Sequence, residues 1–512
     1  MLAISTLVAC DNGSGTGGNT RTGGTVATGG SKQTGGSLTT GGETATGGVI
    51  TTTGGTTQDA GTDAVSATGG AISTGGATAT GGVAITGGVA TMGGTTVTGG
   101  VVVTGGAPAC TVPAAGSYKL VTAVGGGGSS YKESDHFAVF GASAPDATLN
   151  FLEAANQCFV EEWCWRSPGL SITETSGTPY KLNVYTKTLS GAAGVMQYDA
   201  SRGLSYLEVV PASIGSSEVV VHELGHAFTL AEKGWVDQGR TGLWWESVAN
   251  FVSDTFHTSP FCAKARTDHK IATGRTIIDL NACIGNSFNI LVVSGNQYEA
   301  WPFLAYLTYN PDNYPGLGRM ALPTMFRTHK RNNETPLHVL ERMTTPIKVQ
   351  AIVGRYWARM AFVDIGHPSA QATFLAGRGQ LNYANLTAAG IGIYKPIVAR
   401  QPKYAGANII PLKLSGDGSL TVQITNLGNN QTDSDFTATL AIRATSGGAT
   451  RYVDLPAGAG SATIATGEEA ILVVANTPKT LYLYDSSNVA ATDPANAGLN
   501  YQLRLTGATP AN

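Results

Sequence analysis

The sequence predicts an α+β domain with a helical second half, followed by an all-β sandwich. Three observations carry that prediction. Between residues 131 and 258, short alternating runs give way to two segments of helical period. Between 298 and 364 the apolar residues recur at helical spacing. From about Lys403, brief alternating runs are separated by Gly, Asn, Asp and Ser turns, the texture of a sandwich. The 512 residues accordingly divide into 1–10, 11–108, 109–402 and 403–512.

Residues 1–10, MLAISTLVAC, read as the end of an exported lipoprotein's leader, truncated at its start. Leu7-Val8-Ala9-Cys10 fits a lipobox, which makes Cys10 the lipidation candidate and a lipid anchor in a membrane the expected attachment. From residue 11 to 108 Thr-Gly-Gly recurs at irregular spacing, and nothing there can bury a core. A Gly-rich chain of that length has a root-mean-square reach of ~50–60 Å, so this stretch reads as a tether. Net charge is −3 and 13% of residues are charged, which excludes the basic balance of a nucleic-acid binder.

In the folded part, 131–141 holds a short strand pattern and 146–162 a helix. Tyr180–Tyr185 alternates as a strand, and 203–211 as another that ends on Pro211 as an edge strand tolerates. Further helices are expected at 298–307, 335–343 and 346–364. In the last part the alternating runs are 412–414, 420–424, 436–442, 469–474, 481–484 and 501–505. Six cysteines, with Cys10 committed to lipid, leave an odd five. Cys262–Cys283 is the expected bridge, with Cys158–Cys164 as a second candidate should the helix end between them.

The chemistry concentrates in Val221–Asp254. His222-Glu223-Leu224-Gly225-His226 is an H-E-x-x-H signature, rare by chance in a chain with 8 His. Residues four apart share a helix face, so His222 and His226 aim two imidazoles at one spot beside Glu223. That is two ligands for Zn2+ and a carboxylate placed to accept a proton from the attacking water. An exposed face that merely carries His and Glu is the bland alternative. The apolar flanks Val219–Val221 and Ala227, Phe228 and Leu230 argue for burial instead. For the third ligand, Glu232 lies six residues after His226, but a continuing helix puts it ~240° round. Glu246 is the better choice, at 246 − 226 = 20, on a second amphipathic segment with Asn250 one turn on. The remaining histidines, such as His136 and His257, have no partner at ligand spacing and read as structural.

These residues resemble the gluzincins, the thermolysin-like zinc peptidases, whose H-E-x-x-H is followed about twenty residues later by a Glu, often within W-x-x-E-G-x-A-x-Y/F. Glu246, Ala249 and Phe251 match, and Ser247 stands where Gly is usual. The resemblance implies a zincin-like catalytic domain with a mixed sheet, an edge strand at 203–210 along the substrate cleft, and Asn250 as the residue orienting a ligand His. It also implies a Tyr or His donor for the oxyanion; Tyr298 leads, ahead of Tyr306 and Tyr309, against plain aromatic packing. The order of parts is also similar to a family of mostly uncharacterised secreted bacterial proteins. The matching segments are Ser134–Phe137, His222–His226, Tyr298–Phe303 and Val473–Pro478.

The expectation is therefore an extracellular zinc metallopeptidase with Glu223 as general base, acting on polypeptide, either tethered at the cell surface or outer membrane through Cys10 or secreted. A carbohydrate or protein ligand is expected for the β domain. Two other readings stand beside it: a zincin-fold surface binding protein without proteolysis, and a zinc hydrolase acting on glycoconjugates.

Overall fold

The computed structural model describes residues 110–511 except 416–417 and 430. The lipidation candidate Cys10 and the 11–108 tether lie outside the described residues. The architecture is mixed α/β, and the described residues fall in one compact unit that also contains the 402/403 boundary.

The first sheet has five strands: β1 (Tyr131–Glu133), β2 (Phe137–Phe140), β3 (Leu182–Thr186), β4 (Gly194–Asp199) and β5 (Leu204–Val209). Their order is β1-β2-β3-β5-β4, with β2, β3 and β5 parallel and both outer strands antiparallel. All four residues of β2 are buried, as a central strand covered on both faces requires. One face packs on α1 (Pro145–Asn156) and α2 (Ser217–Ala231). The other is closed by Phe140 and Tyr185 against Leu120 and Tyr206. α1 starts as its sequence suggests, with Pro145 in the first turn and Asp146 at the positive end of the dipole. It continues as a π-helical stretch over Gln157–Glu162.

The strand expected to form the sheet edge does not. β5 lies between β3 and β4, so 203–210 is internal and cannot pair with a substrate. The edge belongs to β4, which the sequence reading passed over; β4 and β5 form a hairpin around Ala200–Gly203.

After α2 come a single turn, α3 (Gln238–Thr241), and the long α4 (Trp244–Thr258). The helical half adds α5 (Ala263–Asp268), α6 (Leu280–Gly285), α7 (Trp301–Tyr309), α8 (Ala321–Thr328), α9 (Pro336–Thr344), α10 (Val349–Met360) and α11 (Pro368–Gly377). Two antiparallel sheets complete the chain. One is built from β8 (Ala407–Leu414), β10 (Phe436–Ala444), β11 (Arg451–Asp454), β13 (Glu468–Asn476) and β15 (Ala508–Pro510). The other contains β6 (Leu386–Gly390), β7 (Ile393–Pro396), β9 (Ser419–Gly428), β12 (Ala459–Thr463) and β14 (Asn500–Thr506). β6 and β7 precede Lys403, so strand structure begins earlier than the change in texture suggests.

β13 shows how the parts are joined. Ala470, Leu472 and Val474 enter the cluster shared by the two sheets, whereas Ile471, Val473 and Ala475 enter the core of the helical half. Period-2 alternation thus buries both faces of one strand, one against β-sheet and one against helices such as α10. Leu481–Tyr484, expected as a strand, is irregular. Its tyrosines serve as pegs instead: Tyr484 donates to the Val292 carbonyl at 3.0 Å and Tyr482 to Asp433 at 2.8 Å.

The expected disulfides are also corrected. The bridges are Cys110–Cys164 and Cys158–Cys262, with sequence separations of 54 and 104 and Cα–Cα distances of 4.9 and 5.2 Å. Cys283 is a buried free thiol. Local spacing misleads here because the first bridge ties the N-terminal segment to the end of the π-helical stretch, and the second ties that stretch to the turn after α4. Both pairings are set by tertiary packing.

The contact between α2 and α4 positions everything that follows. A Cβ on Gly225 would stand 2.7 Å from Ala249 Cα and 3.2 Å from Val252 Cβ, so the glycine lets the two helices meet nearly backbone to backbone. Gly225→Ala should lower stability by about 1–3 kcal/mol, the usual cost of overpacking a tight core. Urea unfolding checks this, and an unchanged midpoint would contradict the contact.

Candidate metal centre

α2 carries the H-E-x-x-H residues on its inner face: His222, Glu223 and His226 are all buried. α4 starts at Trp244, and its first turn delivers Glu246, 1% exposed, to the same point. Glu246 Oε2 lies 3.4 Å from His222 Nε2 and 3.5 Å from His226 Nε2, and the three ligand atoms lie within 4.8 Å of one another. Both Nε2 atoms and both Glu246 oxygens are buried without a hydrogen-bond partner. Leaving four such atoms orphaned is costly, by ~1–3 kcal/mol for a neutral group and more for a charge.

A divalent ion would satisfy these atoms. Ligands held ~2.0–2.1 Å from a tetrahedral centre sit ~3.3–3.4 Å apart, close to the two distances from Glu246 to the imidazoles. The donor set of two imidazoles and one carboxylate also leaves a coordination position for solvent or substrate. Burial opposes ionisation of Glu246, but His226 and His222 outweigh it and bring its carboxyl down to about 2, so the group is an anion at neutral pH.

The supports behind the ligands fix their chemistry. Asn250 Nδ2 donates to the Tyr298 carbonyl at 2.8 Å, which leaves Oδ1 to face His222 Nδ1 at 2.9 Å. Nδ1 therefore carries the proton and Nε2 offers its lone pair to the centre. The turn before α7 is pinned by three successive carbonyls. Gln297 accepts from Ser247 at 2.7 Å, Tyr298 from Asn250, and Glu299 from the Cys283 thiol at 3.3 Å. Cys283 is thus a structural donor, and its deep burial pushes its pKa well up.

Several sequence-derived residues lie elsewhere. Glu232 caps the end of α2 and pairs with Arg327 at 3.0 Å, away from the ligand cluster. Tyr298 is half-buried in the turn ahead of α7, not in the helix. The hydroxyls of Tyr306 and Tyr309 are committed to Asp312 at 2.8 Å and Ser259 at 2.7 Å, in the core of the helical half. The other histidines are structural, as their isolation implies. His136 meets Glu153 at 2.6 Å, and His367 donates from Nε2 to Asp254 at 2.7 Å while its Nδ1 caps α11. One contact had no expectation behind it: Gly194, the first residue of β4, lies against Glu223.

Two outcomes follow from this support. Asn250→Ala should weaken divalent-metal affinity ~10–100-fold, read by chelator competition, since the neighbour that orients a ligand histidine contributes that much. Glu299, raised to about 7 by burial and by nearby Asp279, binds its proton more tightly folded than unfolded. Its contribution to stability is therefore full below its unfolded value of 4.5 and lost as pH rises through about 7. Glu299→Gln should flatten that slope and stabilise the protein by roughly 1–3 kcal/mol at pH 8, measured by denaturant titration across pH.

No curated protein matches this chain. Similar solved structures include the M60 catalytic domain of ZmpC from Clostridium perfringens, in complex with the sialyl T antigen, and the ZmpB metallopeptidase of the same organism. Each is 13% identical over 69% of this chain and 68% of its own, with a TM-score of 0.26, too low to assign a fold. The family relationship is definite: residues 133–512 match the model described as "Family of unknown function (DUF6055)", and the chain belongs to that family.

Proposed function

We propose that this protein is an extracellular zinc-dependent peptidase. The observation that supports it most is the set of buried, unpartnered ligand atoms on His222, His226 and Glu246 beside a buried Glu223. These three residues would hold the ion, which when bound supplies the Lewis acidity that makes water a nucleophile near neutral pH. Glu223 accepts the proton of the attacking water and returns it to the leaving amine. Tyr298 is the proposed oxyanion donor. Its backbone carbonyl accepts from Asn250, whose Oδ1 faces His222, so the residue stands directly behind a proposed ligand.

The polypeptide expected as substrate would extend the first sheet at its outer strand β4, one face of which meets Glu223 at Gly194. Two disulfides support an oxidising, exported setting, to which the Cys10 anchor and the tether would add a cell-surface address. Among the described residues no helix is long and apolar enough to cross a membrane.

Glu223→Gln should keep full metal content and lose peptide hydrolysis by at least ~10²–10⁴-fold, the span of general-base catalysis. Metal analysis alongside product mass spectrometry reads both. Unchanged turnover would remove Glu223 from the mechanism. Cleavage confined to an ester or amide of a glycoconjugate would move the substrate class, and stoichiometric retention of intact polypeptide would make the protein a binder.

A further inference from the structure

The strand that ends the first sheet meets the proposed general base at a residue with no side chain. Gly194 opens β4 and pairs with Val209 of β5. A Cβ built there would stand 2.8 Å from Glu223 Cγ, 3.1 Å from Cδ and 3.0 Å from Oε1. Carbon atoms rest ~3.5–4.0 Å apart, so a methyl at 194 and the present Glu223 rotamer exclude each other.

Backbone conformation does not explain this glycine. Gly191 and Gly203, on either side, have φ of 75° and 69°, but Gly194 is not among the positive-φ residues and its extended strand suits any residue. Hydrogen bonding to β5 does not ask for it either. What the position requires is room. Side chains alternate along a strand, so Gly194 shares its face with Met196 and Tyr198, and both of those pack toward the core that includes α2. Gly194 is thus the point on that face where strand backbone approaches Glu223. The base is buried, 1% exposed, so a displaced carboxylate cannot simply swing into solvent.

We propose that Gly194 is a positioning residue for Glu223. With no Cβ, the β4 backbone forms the wall against which the Glu223 side chain lies, and that wall sets where the carboxylate stands relative to His222 and His226. The inference rests on the reading of Glu223 as base. It adds that the close approach at Gly194 helps to hold the substrate-pairing strand and the proton acceptor in register. A misplacement near 1 Å is enough to cost ~10²-fold in rate.

The test is a double-mutant cycle in the metal-loaded full chain. Gly194→Ala should lower kcat ~10–100-fold, with KM and divalent-metal affinity each within about 3-fold of wild type. Gly215→Ala, whose Cβ meets nothing within 4 Å, serves as the control and should change nothing. In a Glu223→Asp background, where the carboxylate is withdrawn by one methylene, adding Gly194→Ala should cost less than about 3-fold. Equal costs in both backgrounds, or a fall in metal affinity that tracks kcat, would reduce Gly194 to a packing residue and overturn the proposal.

Thermal unfolding supplies a readout independent of turnover. Gly194→Ala should lower Tm in the presence of Glu223 and have little effect in a Glu223→Ala background; loss of Tm in both overturns the contact. Should Gly194→Ala alone fail to fold, folding of the Gly194→Ala/Glu223→Ala pair supports the clash and its failure to fold overturns it. Coupling in Tm together with no peptide hydrolysis by the metal-loaded wild type would count against the peptidase reading and against a positioning role in it, while the clash itself would stand. Hydrolysis without coupling would count against Gly194 alone.

Discussion

The structure depends on the close approach of α2 and α4. Gly225 against Ala249 brings the helices together until the first turn of one faces the middle of the other. At that crossing two imidazoles and a carboxylate become neighbours, all three buried. Four unpartnered polar atoms converging on one point, two of them carboxylate oxygens, set this cluster apart from the scattered unpaired groups of the core. The geometry asks for a counterpart with positive charge and more than one bond to give.

Much of the remaining architecture holds that crossing rigid. Asn250 fixes the tautomer of His222, and the turn at 297–299 fixes Asn250. On the opposite side of the site, β4 brings its backbone to Glu223. Behind α4, Asp254 binds His367, Thr258 and Thr276 and so fastens the far end of the helix to the later helical half. That half is in turn seated on β8, β10 and β13, whose outward-facing residues belong to its core. The C-terminal sheet that contains β8, β10 and β13 therefore braces the body that carries the site. The Arg359 cluster, which joins Asp312, Asp364 and the Tyr452 ring, adds a polar tie across the same junction.

The pairing of His222 with His226 was legible in the sequence from helical period, Glu246 was reached through the gluzincin spacing, and the structure gathers the three. A spacing of four puts His222 and His226 on one face, and the second amphipathic segment carries Glu246 on its inner side. Three helices of the second half, α7, α9 and α10, were legible for the same reason, their boundaries shifted by one to four residues as caps decide, whereas α5, α6, α8 and α11 were not expected. β4 was missed because Gly194 weakens a strand signal and the run is short. The alternation through Val195–Asp199, then the turn ending at Gly203, is the hairpin cue that could have found it. The Cys158–Cys262 pairing had no local signal, since it joins segments that only tertiary packing brings together. Leu481–Tyr484 alternates like a strand, yet Tyr484 gains more by burying its ring and bonding the Val292 carbonyl than by joining a ladder.

The central claim is that His222, His226 and Glu246 bind one divalent ion. X-ray absorption on the purified, zinc-loaded protein tests it directly. The account predicts one zinc per chain with two imidazole nitrogens and oxygen from Glu246 and solvent in its first shell, and no sulfur scatterer. Substoichiometric zinc, or a Zn–S distance of ~2.3 Å drawing on Cys283, would contradict it.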